Sequence, residues 1–196
     1  TLLCRFADVP GDPRPPNFFK EMFERTSGPS LSSYWNEASY GAVPSITTDV
    51  SGWHTLPNPR AHYGFSETVA GFNVSLIVEE CAAIADAANP ALDFTQYDAV
   101  GVMVNAPTRV AIASFGNVNY PDGAQMQFGT MVIPSDKYNL ALVAHEMGHT
   151  YGLPHSSANG QEYQNPWDLM GIVSGYRCAV NADPVYSCLG QHPIGK

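Results

Sequence analysis

The stretch HEMGHTYGLPH, His145 to His155, places three histidines, one glutamate and two glycines within eleven residues. Residues four apart on a helix lie about 40° from each other around the axis and about 6 Å along it. His145 and His149 therefore project from one face and can hold one ion between them. In a continuing helix His155 would lie ~240° round from His149 and ~9 Å further on, out of reach. Gly152 removes that obstacle, because a glycine takes positive φ without steric cost and reverses the chain. Pro154 then forbids a return to helix. The spacing predicts three imidazoles on one divalent ion. Glu146, ~100° from His145, stands beside that ion without binding it and is placed to take a proton from water. Three protein ligands leave a fourth position open, which marks a catalytic zinc rather than a structural one.

Working outward, NLALVAHEMGHTYG (139–152) reads as a helix of good formers ending at Gly152. PPNFFKEMFERTSG (15–28) reads as a short helix with Phe18, Phe19, Met22 and Phe23 on one face. VPSITTDVSGW (43–53) alternates as a half-buried strand would. From about Ser66 to Ala88 a helical stripe runs through Ile77, Cys81, Ile84, Ala85 and Ala88, and Asn89-Pro90 stops it. YDAVGVMVNAP (97–107) has the near-continuous apolar run of a buried central strand; VAIASFG and MQFGTMVIP are two further strands. The pattern predicts an α/β (α+β) lobe over residues 1–152. A smaller, irregular C-terminal lobe follows over 153–196, both within one catalytic domain.

Nine Lys+Arg stand against eighteen Asp+Glu, a net charge of -9. Nucleic acid is excluded, since phosphate binding needs clustered cations and the chain has no basic run. Attraction to an anionic membrane surface is excluded on the same ground, and no apolar run approaches the ~18–20 residues that span a bilayer. The sequence starts at Thr1 without a signal peptide, which suggests a processed end. Four cysteines, Cys4, Cys81, Cys178 and Cys188, form no CxxC pair and allow three pairings. Cys178–Cys188, which closes a short loop, is favoured, leaving Cys4–Cys81 to tie the N-terminus to a helix. Disulfides belong to an extracellular protein.

The eleven-residue pattern H-E-x-x-H-x-x-G-x-x-H resembles that of the metzincin metallopeptidases. NPWDLMG (165–171) supplies Met170 followed by a glycine, as in their methionine turn. Within that clan the chain looks most like the gametolysin and immune inhibitor A families. YWNEASYGAVPSITTDVSGWHTLP resembles their SYG…GW segment, CAAIADAANPALDFTQYDAV their helix and YD-led strand, and GQEYQNPWDLMG the gametolysin E-Y pair before D-x-M-G. His155 as third ligand sides with gametolysin, because immune inhibitor A relatives usually have Asp there. Gln164 and Asn165 depart from gametolysin-like chains, which often have an Asp after the E-Y pair. Matrixins, whose methionine follows sooner, are the second family.

The resemblance implies a metzincin-like zincin fold: a twisted, mostly parallel sheet with a backing helix, an active-site helix and a lower edge strand. It implies His145, His149 and His155 as zinc ligands, Glu146 as general base and Met170 as the turn methionine. Substrate would pair with the edge strand, either VAIASFG around Ala113 and Ser114, which is favoured, or MQFGTMVIP. Tyr176 is a candidate to bind the oxyanion. His54, His62 and His192 sit among turn residues and read as solvent-facing. Asn73-Val74-Ser75 is a glycosylation sequon. Asp93, Asp98, Asp122, Asp136 and Asp183 are candidates for a Ca2+ site, although no EF-hand-like loop is present. The expected protein is a secreted monomeric zinc endopeptidase made with an N-terminal prosegment and acting on protein or peptide substrates. Two rivals use the same residues: a non-catalytic zinc-stabilised adhesion or toxin module, and a zinc amidase on cell-wall peptides.

Overall fold

The computed structural model describes residues 1–158, 160–162 and 168–171. A five-stranded sheet runs in the order β2-β1-β3-β5-β4, built from β1 (Leu2–Arg5), β2 (Ser51–Thr55), β3 (Gly101–Val104), β4 (Ile112–Ser114) and β5 (Thr130–Ile133). The first four in that order pair in parallel, and β4 closes the edge antiparallel to β5. The helices are α1 (Pro16–Glu24), α2 (Leu31–Ala38), α3 (Val74–Ala88) and α4 (Leu140–Thr150). The expected α/β fold with a mostly parallel sheet is the one observed.

Strand alternation sends each strand's side chains to two separate cores. Leu2, Cys4, Val102, Val104 and Val132 pack on one face against Ile77, Val78, Cys81, Ala82 and Ala85 of α3. Leu3, Met103, Met131 and Ile133 face the other way, onto Phe19, Met22, Trp35, Leu140, Val143, Ala144 and Met147 of α1, α2 and α4. Both faces are thus apolar, as a sheet covered on two sides requires. The Cys4–Cys81 disulfide fastens β1 to α3 with a Cα–Cα distance of 6.1 Å. Cys178 and Cys188 lie outside the described residues, as do Tyr176, Asp183, His192 and most of the expected C-terminal lobe.

Three details differ from the sequence expectation. Residues 43–50 join no ladder; the strand is Ser51–Thr55. Their backbone donors go to side chains instead: Ile46 N–H to Ser32 Oγ (2.9 Å) and Thr48 N–H to Glu24 Oε1 (2.6 Å). The long helix begins at Val74 rather than near Ser66, where Asn73 Oδ1 caps it by accepting the Leu76 N–H at 3.0 Å. β1 and α2 were not anticipated. Each is at most eight residues long, too short for periodicity to show.

Candidate metal centre and active site

The site is built on α4. Asn139 caps the helix by accepting the Leu142 N–H at 2.9 Å, and Leu140, Val143, Ala144 and Met147 anchor it in the core. That leaves His145 and His149 on the opposite stripe. The helix ends in a Schellman motif: Leu153 N–H donates to Gly148 O (3.0 Å) and Gly152 N–H to His149 O (2.9 Å). Gly152 carries the reversal at φ +86°. The chain turns back there, and His155 reaches the other two histidines.

His149 Nε2 lies 3.1 Å from His145 Nε2 and 3.0 Å from His155 Nε2. Tetrahedral ligands at ~2.0–2.1 Å from one zinc would be separated by ~3.3 Å, close to this spacing. Behind each ring an oxygen faces Nδ1. His145 Nδ1–H donates to Leu169 O (2.7 Å) and His149 Nδ1–H to Leu153 O (2.8 Å), while Glu162 Oε2 lies 3.5 Å from His155 Nδ1. A proton held on Nδ1 leaves the Nε2 lone pair for a metal. Three lone pairs facing one another at this range repel unless a cation sits among them, so the donor set fits zinc. Burial pushes the His145 imidazole down to about 4 and lowers that of His149, which keeps both neutral and able to ligate.

Glu146 is buried between the helix and β4, and burial pushes its carboxyl up to about 7, opposed in part by a hydrogen bond from the Ala113 backbone. Ala113 lies on β4, the edge strand of the sheet favoured in the sequence for substrate pairing. An open cleft of about 720 Å³ runs between that edge and α4 and reaches Ala113, Glu146 and all three histidines.

Met170 is buried, with its sulfur against Gly148 of α4. A Cβ on Gly148 would run into its sulfur and would come 3.5 Å from Trp35 Cη2, so any larger residue at that step of the helix must displace the Met170 side chain. The turn is closed by Asp168, whose Oδ1 accepts the Met170 N–H (2.9 Å) and whose O accepts that of Gly171 (2.9 Å). It is tied to the triad twice, through Leu169 O on His145 and through Met170 O, which accepts the Ser156 N–H at 2.9 Å. Gly148 and the two carbonyls escaped the sequence reading, which met Glu162 and Asp168 only as members of the E-Y and D-x-M-G patterns and gave neither a role.

His54 lies on β2 with Nε2 2.7 Å from Ser51 Oγ, and His62 packs edge-on against Tyr63. Neither joins the triad. Among the described residues the three histidines form the one group of such donors able to hold an ion, and Asp93, Asp98, Asp122 and Asp136 form no such group. No helix among the described residues is long and apolar enough to cross a membrane.

A helix-borne histidine pair, a third histidine returned by a glycine, and a buried glutamate at an open sheet edge define a zinc-dependent hydrolase. The model of the family described as Gametolysin peptidase M11 matches residues 21–193. The chain belongs to that family, and is a zinc metallopeptidase whose His triad is the zinc site. Searches of curated proteins and of solved structures found no match to it.

Proposed function

We propose that the protein is a secreted endopeptidase in which His145, His149 and His155 hold one zinc and Glu146 is the general base. The observation that carries this reading is the convergence of three Nε2 atoms beside a buried carboxylate, on the floor of a cleft open along a sheet edge. Zinc bound there would supply a Lewis acid for a carbonyl oxygen and lower the pKa of a water molecule. Glu146 takes a proton from the attacking water on a carboxylate oxygen and delivers it to the leaving amine nitrogen, so one group serves both transfers. Burial raises this carboxyl's affinity for a proton, which suits it to holding one between the two transfers.

β4, an edge strand of the sheet, aligns an extended substrate along Ala113 and Ser114 by strand addition. Met170 supports the rings through Gly148 of α4. Tyr176 is the candidate for a hydrogen bond to the oxyanion. The whole chain acts as one catalytic domain, monomeric, with an N-terminal prosegment and a Cys178–Cys188 bridge. Secretion is supported by the Cys4–Cys81 disulfide.

The test is zinc content by mass spectrometry alongside casein hydrolysis, for wild type and Glu146→Ala. Both should bind zinc, and the variant should lose about 10²–10⁴-fold in kcat. Equal inertness of the two would overturn the peptidase reading.

A further inference from the structure

Of the nine Lys and Arg residues, Arg177 and Lys196 lie outside the described ones. Arg5, Lys20, Arg60 and Lys137 are each engaged by a carboxylate, and Arg14 lies over the Phe18 ring. Arg25 is also engaged. Arg109 alone among the described cations has no partner among the described residues, in a chain whose carboxylates outnumber its cations twofold. It is exposed, and it lines the cleft that contains the triad, three residues before β4 begins.

The charged groups around it among the described residues leave it available. Asp136, the acidic group in that part of the cleft, is held by Lys137 at 2.6 Å, and its other oxygen faces the Thr108 N–H at 3.4 Å. Glu146, the other carboxylate of the cleft, is buried against Ala113. Val110, Ala111 and Leu142 make the neighbouring wall apolar, which strengthens a charge-assisted hydrogen bond there. The far end of β4 is different in kind: Phe115 and Leu153 stand exposed there.

We propose that Arg109 is a specificity-determining residue that binds a carboxylate of the substrate downstream of the scissile bond. This rests on the peptidase reading above. Antiparallel pairing is the more stable way to add a strand, and it runs the substrate opposite to β4. The start of β4 then faces the substrate's C-terminal side, and Ala113 faces the bond to be cut. The carboxylate is either an Asp or Glu side chain or the substrate's own terminus, since both offer two oxygens to a guanidinium fork.

The test uses the zinc-loaded full chain and end-blocked peptides that differ at one position, carrying Glu, Gln or Lys at successive sites on either side of the cleaved bond. A second pair ends, a few residues beyond the bond, in a free carboxylate or an amide. For wild type, kcat/KM should favour Glu over Lys downstream by at least about fivefold, mostly through KM, with no gain for Glu upstream. Arg109→Gln should erase the ratio and Arg109→Glu invert it, while Arg14→Gln keeps the wild-type ratio. Preference confined to the free-terminus pair would assign the site to a chain end; preference among blocked peptides assigns it to an acidic side chain. A flat wild-type profile, or a ratio unchanged in Arg109→Gln, overturns the inference and leaves the peptidase reading standing. Cleavage of none of the peptides by wild type removes both.

Discussion

Two of the three metal-binding rings differ from the third in what holds them. His145 and His149 stand on a helix whose other side is sealed in the core by Leu140, Val143, Ala144 and Met147. His155 stands on a loop and is positioned by a left-handed glycine, one backbone bond from Ser156 to Met170, and a carboxylate behind its ring. The helical pair needs only the geometry of a helix. The third ring needs a hinge and a brace. In this chain Gly152 serves as the hinge and the turn at 168–171 as the brace, and the contrast says which positions tolerate change.

The sharpest way to break the contrast is Gly152→Val. A β-branched residue forced to a positive φ costs of the order of 1–3 kcal/mol, and the chain can relieve that strain only by moving the loop. Zinc affinity, measured by chelator competition, should fall by more than about tenfold with α4 intact by circular dichroism. Unchanged affinity would show that the reversal does not depend on glycine.

Gly148→Ala attacks the brace from the helix side. Its new methyl displaces the Met170 sulfur, and overpacking of this kind costs about 1–3 kcal/mol. The melting temperature should drop by several degrees, with zinc affinity weakened less than in Gly152→Val. A melting temperature equal to wild type would mean that Met170 is free to swing away.

Glu162→Gln probes the weakest link, a mostly exposed carboxylate 3.5 Å from the His155 ring. Loss of such an orienting partner lowers metal affinity by at most about tenfold at an exposed position. Calorimetric titration of zinc should show a small loss, and a large one would make Glu162 more than a brace.

Smallest at the site should be removal of the Cys4–Cys81 bridge by a double Cys→Ala change. The bridge lies on the α3 face of the sheet and closes a separation of 77 residues. Stability should fall by roughly 2–4 kcal/mol in chemical denaturation while zinc affinity stays at the wild-type value. Loss of zinc in the folded variant would show that the two faces are coupled.

Much of this site was legible in the chain because helix geometry is local. Spacing four places His145 and His149 together, and Gly152-Leu-Pro explains how His155 returns. The central strands at 101–104 and 130–133 were legible too, since a sheet covered on both faces leaves continuous apolar runs. The segment 43–50 misled because alternation reports which side chains are half-buried, not where the backbone bonds go. There they go to Ser32 and Glu24.

The amino-acid order alone determined the histidine set, the glutamate beside it and the chain reversal, because all of them lie within eleven consecutive residues and obey one helix and one turn. Only the tertiary structure decided that Leu169 O and Glu162 face the outer nitrogens of two rings, that a thioether fills the space over Gly148, and that Arg109 shares the cleft with the triad. Those groups come from segments that meet only when the sheet is assembled, and no local rule of spacing records such a meeting.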